Sequence, residues 1–445
     1  MIRAFKQLTG RLFFGAAIIV AAMNSCTTTR PVIDTNDLSY LYNPTKNPVN
    51  PRYNITTESD TRAILGVKFF SQELLFSEAN AQGVPTASMA VTVKLYNTTG
   101  RMALSDTAYY NLSIVKEEGR QEYVYHIPME VSPGQKYVVE VKILDRLRSL
   151  VMQAFVPFNT LSATGRYNYI ARGHFIKNEL FNPVIRINEF ANLVYLRDKK
   201  DTLYVAYYKP FTVNPDPPSM MLPEKAIDYN PDTVIALSYS DTLPMMFPKP
   251  GIYLCSVDST LTDGFCFFNF GPTFPEMNSP EVMIEPLAYL ASESELEAMR
   301  TASRPKLALD DFWIKCGGNV EKSRELIRIY YTRVLYANYY FTSYKEGWRT
   351  ERGMIYIIYG PPDKVYKSND GEVWGYRKPV IKSSWGTRYK VKEEYLYFNF
   401  KQKNSVFSDN DYFLSRSETL VTYWDQAVSA WKKGIVFRLD NPEEF

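Results

Sequence analysis

Histidine is almost absent from this sequence. The 445 residues hold two, His126 and His174, both inside runs that read as strands. A Ser-His-Asp or Cys-His nucleophile needs an imidazole to carry its proton, so such a site would have to be assembled across domains. Cysteine is nearly as scarce. Cys26, Cys255, Cys266 and Cys316 form no CxxC pair and no Cys/His spacing suited to zinc, so neither a metal nor a cofactor is expected. Acids are missing from the first 25 residues, which carry Arg3, Lys6 and Arg11. Without those three basic residues, 48 of the 51 remain against 48 acids. A body of zero formal charge has no electrostatic footprint for nucleic acid.

Long apolar runs are absent as well. The run Leu12–Ala22 has eleven residues, against roughly 20 for a bilayer span, but it suits the core of a signal peptide. It leads into Met23-Asn24-Ser25-Cys26, where a small residue before cysteine resembles a bacterial lipobox. On that reading residues 1–25 are removed and Cys26 is diacylated, which anchors the chain in lipid. Thr27-Thr28-Thr29 follows in place of an acidic run. The expected address is therefore the outer membrane, facing the periplasm. Residues 26–50, rich in Thr, Asn and Pro, read as a tether that could reach roughly 80 Å if fully extended.

What the chain does have is β texture. Apolar residues make up 45% and charged residues 22%, with 34 Tyr and 26 Phe, a globular and β-leaning composition. From 51 to 162, runs such as TRAILGVKFF, SMAVTVKLYN and QKYVVEVKIL alternate with turns, which predicts an immunoglobulin-like β-sandwich. Residues 163–285 repeat that character without a sequence repeat, and predict a second one. Within it, a turn centred between Thr260 and Leu261 would set Cys255 opposite Cys266. An exported protein could oxidise that pair, or the two could be reduced core thiols.

The texture changes at 286. Ser292 and Glu295 make a capping box. Asn319 caps a long helix in which Leu326, Tyr330, Val334 and Ala337 recur at helical spacing. Helices followed by the runs MIYIIYG, EVWGYR, TRYKVKE and EYLYFNF, then a helix DQAVSAWKKG and a closing IVFRL, predict an α+β module over 286–445.

Gly347-Trp348-Arg349-Thr350-Glu351, then Tyr359-Gly360-Pro361-Pro362-Asp363 and Glu372-Val373-Trp374, resemble the GWxTD domain. That family occurs chiefly in exported proteins and lipoproteins of Bacteroidota, with the domain at the C-terminal end. The resemblance implies an envelope address and this architecture, but no activity. The family's eponymous Asp is Glu351 here.

The same residues allow a structural reading. Gly347 would cap the preceding helix, Trp348 would pack over a sheet with its indole N–H on a carbonyl, and Gly360-Pro361-Pro362 would end a strand. Glu351 would pair with Arg349 or Arg352 at the surface, and Asp363 would stabilise a turn. The alternative is that the corner presents Trp348 and Glu351 to a ligand, with Asp363, Asp370 and Glu372 as further acids for glycoside hydrolysis. A basic-aromatic stretch follows, with Trp374, Arg377, Lys378, Lys382, Trp385, Arg388, Lys390 and Lys392, suited to anionic glycan or peptidoglycan, or simply a solvated hairpin. The expected function is non-catalytic: a binding or scaffolding subunit in a complex of envelope proteins. A glycan- or peptidoglycan-binding protein, or a carboxylate-dependent glycan hydrolase, is the alternative.

Overall fold

The structure is a computed structural model that describes residues 37–78, 83–218, 227–368, 370–378, 394–403 and 405–439. Cys26, Lys382, Trp385, Arg388, Lys390 and Lys392 lie outside the described residues. Five antiparallel sheets, none of them closed, hold most of the regular secondary structure among the described residues, and the helices gather toward the C-terminal end.

The first sandwich sets strands β1 (Arg52–Thr57), β2 (Arg62–Phe70) and β5 (Glu122–Glu130) against a second sheet. That sheet runs β4 (Ala103–Val115), β3 (Thr86–Asn97), β6 (Lys136–Asp145), β7 (Leu150–Asn159) in spatial order. Strand β3 alternates buried and half-buried along its length, so one face packs inward. Its Met89, Val91, Val93 and Leu95 meet Leu65, Val67 and Phe69 of the facing sheet in a single core.

The second sandwich packs β8 (Tyr169–Gly173), β9 (Phe190–Tyr195) and the short β12 (Met245–Met246) against a four-stranded sheet. The latter holds β10 (Thr202–Tyr208), β11 (Thr233–Ser238), β13 (Gly251–Ser256) and β14 (Phe265–Asn269). In the β13–β14 hairpin Cys255 pairs with Phe265 and Cys266 with Leu254. The register is one residue away from the expected one, and because side chains alternate, a one-residue slip sends the two thiols to opposite faces. Cys255 joins the core between the sheets, Cys266 packs with Tyr344 and Phe407 on the other side, and both are free. The disulfide expectation is thereby overturned.

The C-terminal module packs helices on one face of a four-stranded sheet. Helices α1 (Pro280–Ile284), α2 (Glu293–Arg300) and α3 (Pro305–Gly317) lead to the long α4 (Val320–Phe341). Ser292 and Glu295 form the expected capping box, and Asn319 accepts the N–H of Lys322. MIYIIYG, expected as a strand, lies in helix α5 (Glu351–Tyr359), and every residue from Arg352 to Tyr359 is buried. A helix enclosed on all sides carries no polar face, so its apolar run has no period to distinguish it from an interior strand. The sheet comprises β15 (Lys364–Ser368), β16 (Gly371–Arg377), β17 (Tyr395–Lys403) and β18 (Asp411–Ser415) in sequence order, then α6 (Glu418–Lys432). The closing IVFRL is irregular rather than a strand, although Phe437 is buried.

Residues 37–50 do not form a tether. They make a strap whose first residues dock on the C-terminal module, with Leu38 and Tyr42 in its core, while Val49 enters the core of the first sandwich. The Leu38 N–H donates to Val365 O at 2.8 Å and the Val365 N–H to Asp37 Oδ1 at 3.0 Å. The three units are in contact. Arg52 of the first sandwich stacks 3.9 Å over the Tyr339 ring of α4. Arg166, between the sandwiches, donates to Ser405 O and Val406 O.

Candidate functional site

The Gly-Trp corner is assembled against the last two turns of α4. That helix ends at Phe341, and Gly347 begins a separate one-turn 3-10 segment, Gly347–Arg349, so Gly347 does not cap the long helix. Its role is contact. A Cβ at this position would lie 2.0 Å from Ala337 O, so only glycine lets the chain press against the helix backbone. The Trp348 N–H donates to Asn338 Oδ1 at 3.1 Å, and the Gly347 N–H to Thr342 Oγ1 at 3.1 Å. Thr350 caps α5 by accepting the Gly353 N–H at 3.0 Å while donating to Gly347 O at 2.7 Å. Gly353 is equally confined, since a Cβ there would fall 1.9 Å from Gly347 O.

Trp348 is 1% exposed and sits edge-on to Tyr289, whose hydroxyl donates to Trp348 O at 2.7 Å. Its indole N–H has no partner among the described residues, contrary to the expected carbonyl contact. Packing accounts for this tryptophan.

The charged residues of the motif point the other way, toward the second sandwich. Arg349 lies 4.0 Å over the Trp348 ring, and its guanidinium donates to Glu346, to Thr212 O (2.8 Å) and to Asn214 Oδ1 (2.6 Å). Glu351 accepts from Arg416 Nη2 at 2.9 and 3.0 Å, and the same nitrogen donates to Asp216 O at 2.8 Å. Arg349 directly, and Glu351 through Arg416, thus hold the loop that follows β10. Glu351 pairs with neither Arg349 nor Arg352, and it is not a surface group. Burial pushes its carboxyl up to about 7, with Arg416 offsetting only part of the rise.

The Gly-Pro-Pro-Asp segment ends a helix, not a strand. Gly360 adopts φ +84°, its carbonyl accepts from the Tyr376 hydroxyl at 2.8 Å, and Arg333 closes the last turn of α5 through Ile357 O and Ile358 O. Pro361 is exposed and Pro362 buried. Asp363 does not cap a local turn as expected: its carboxylate accepts the N–H of Arg377, at the end of strand β16, at 2.8 Å.

A second constellation was not visible as a unit in the sequence. Glu372, 2% exposed, accepts from the Tyr42 hydroxyl at 2.8 Å and from Trp374 Nε1 at 3.0 Å, and pairs with Arg352 and Lys367 at 3.1 Å each. Burial alone would raise its carboxyl, but the two cations and two hydrogen bonds overcome that and hold it down to about 2. Trp374 is wholly buried in this box and belongs to no surface patch. Of the expected basic residues on described chain, Arg377 is exposed, and Lys378 lies 5.6 Å from the Tyr423 ring. Arg352 and Lys367 could have been suspected from their charge beside apolar runs. Tyr42, 330 residues from its partner, gave no local signal. Of the histidines, His126, on β5, meets Glu179 at 3.1 Å, and His174, in a turn rather than a strand, meets Asn192 at 2.9 Å.

Two clefts open where the three units meet. One of about 880 Å³ is walled by Tyr137, Arg166, Tyr229, Asp263, Gln402 and Asp409. The other, about 580 Å³, reaches the Glu372 box beside Arg52 and Asn410.

Residues 251–433, in the C-terminal region of this chain, match the GWxTD domain family, and the matched segment begins at the β13–β14 hairpin. No curated protein matches the chain. Among solved structures, it is similar to a beta-glucuronidase of Bacteroides uniformis at 15% identity and TM-score 0.16, over 26% of this chain and 14% of that one. Beta-glucuronidase 2 of the same organism, covalently bound to cyclophellitol-6-carboxylate aziridine, aligns at 14% identity and TM-score 0.16 with the same coverage. Likenesses of this size carry no argument about activity.

Proposed function

We propose that the chain is a lipid-anchored envelope protein, held to the outer membrane through acylated Cys26, facing the periplasm, and acting as a binding or scaffolding subunit for other envelope proteins. The observation that carries the reading is the use to which the GWxTD motif is put. Gly347, Trp348 and Thr350 build an internal corner, while Arg349 and Glu351 clamp a loop of the second sandwich. A motif spent on holding units in fixed relation suits a rigid platform.

The strap adds to this. With residues 37–50 docked, ten residues separate Cys26 from Asp37, a reach of at most roughly 35 Å. The C-terminal module would stand close to the membrane rather than swing at the end of a long tether.

The experiment is affinity capture of the membrane form after mild detergent extraction. One or more envelope proteins should co-purify in fixed stoichiometry. A chain that emerges alone, and whose yield in the membrane fraction is unchanged by Cys26→Ala, would sink both halves of the proposal.

A second reading, binding of an envelope glycan, is favoured by the larger cleft, where Tyr137 and Tyr229 stand beside Asp263 and Asp409. Calorimetric titration with peptidoglycan fragments tests it. Hydrolysis through Glu351 and Glu372 is the weaker form, because each carboxylate is already engaged by a guanidinium.

A further inference from the structure

The most exposed large apolar side chains among the described residues are neighbours. Phe175 is 77% exposed and Ile176 83%. They occupy the tip of a tight turn that follows β8, and neither side chain takes part in a contact described above. The turn is well braced: the Gly173 N–H donates to Asn178 O and the Lys177 N–H to Gly173 O, both at 2.9 Å, and the His174 N–H donates to Phe190 O. Lys177 takes φ +56° to close it. A tip fixed in this way loses little conformational entropy when it binds.

The apolar surface continues past the tip. The Phe175 ring lies 5.9 Å from that of Phe190, and Phe190 is paired in register with Met246, itself 44% exposed. Lys177 and Arg186 are exposed and make no ion pair among the described residues. The acids nearby in sequence lie outside the turn's tip: Glu179 meets His126, and Glu189 accepts the Arg186 N–H. An exposed apolar tip with an exposed lysine beside it matches a bilayer interface: the apolar side chains enter the acyl boundary while the lysine meets anionic headgroups.

We propose that the Phe175-Ile176 tip is a second, reversible membrane contact that dips into an anionic lipid surface. The inference stands on the tip alone and does not depend on acylation of Cys26.

The test uses the chain from Thr27 onward, which keeps every described residue and has no acyl group. It is sedimented with vesicles of phosphatidylethanolamine and phosphatidylglycerol, or of phosphatidylcholine. The expected result is binding to the anionic vesicles, weakened by salt. Phe175→Ser/Ile176→Ser should weaken it at least about tenfold, and Lys177→Glu severalfold. Tyr109→Ser, at an equally exposed aromatic on β4, should change nothing. All these positions are solvent-facing, so unchanged melting temperatures confirm that the variants fold. The proposal is overturned if the parent chain leaves the anionic vesicles unbound, or if binding ignores the double substitution. Loss of a stoichiometric protein from the affinity capture in that variant, with no vesicle binding by the parent, would make the tip a protein contact and equally end the lipid assignment.

Discussion

Two glutamates, 21 positions apart, show how far environment decides the chemistry of one residue type. Glu372 is held at about 2 by Lys367 and Arg352 against the cost of burial, whereas burial prevails at Glu351 and raises it to about 7. Their contributions to stability therefore run opposite ways with pH. A carboxyl depressed in the folded state adds stability above its unfolded pKa of about 4.3, and that stability is lost as pH falls toward about 2. A carboxyl raised in the folded state favours folding below about 4.3, and its contribution is lost as pH rises toward 7. Replacing Glu372 by Gln leaves Arg352 and Lys367 without their counter-charge and should cost roughly 3–5 kcal/mol, together with the loss of the acid-side slope between pH 4 and 2. Glu351→Gln mimics the neutral form that its site prefers. It should cost under about 1 kcal/mol and flatten the profile between pH 4 and 7. Urea unfolding of both variants across pH 2–8 measures the contrast, and equal penalties would contradict this account.

At the level of elements, the motif is a device for turning one helix into the next without a gap. Gly347 and Gly353 allow backbone to meet backbone, and Thr350 satisfies the first donors of α5. Gly347→Ala would drive a Cβ into Ala337 O, and neither backbone can retreat, because Trp348 N–H and Tyr289 pin the corner. This variant should abolish folding of the C-terminal module or lower its thermal transition by well over 10 °C. Thr350→Ala removes only a cap, worth about 1 kcal/mol, and should shift the transition by a few degrees. Differential scanning calorimetry of both variants separates a structural corner from a ligand contact. A ligand contact would leave stability nearly unchanged in each.

Across the whole molecule, the strap and the clamped loop tie distant chain into the C-terminal module. Tyr42 is packed against Tyr340, Phe341 and Trp374 and donates to Glu372, while its carbonyl accepts from Tyr356. Tyr42→Ala should therefore destabilise the module by roughly 3–5 kcal/mol, although the substitution lies far outside the module in sequence. Hydrogen exchange should show residues 37–50 and β15 losing protection together, since Leu38 and Val365 share a backbone bond. If only the strap loosens and β15 stays protected, the strap is an accessory rather than part of the fold.

Much of this was legible in order. The two β-textured stretches, the capping box at Ser292, the cap at Asn319 and the long amphipathic helix follow from periodicity and local hydrogen bonding, which a sequence displays directly. The motif named the C-terminal domain. What failed had one cause in each case. MIYIIYG reads alike as a buried strand or a buried helix until its neighbours are known, and a one-residue change of register moves Cys255 and Cys266 to opposite faces. Tyr42 reaches Glu372 across 330 residues, and Glu351 finds Arg416 instead of the arginines beside it. Local elements are set by forces within a few residues, so the sequence by itself determined them. The partners of buried charges are set by which surfaces pack together, and that was decided only by the tertiary structure.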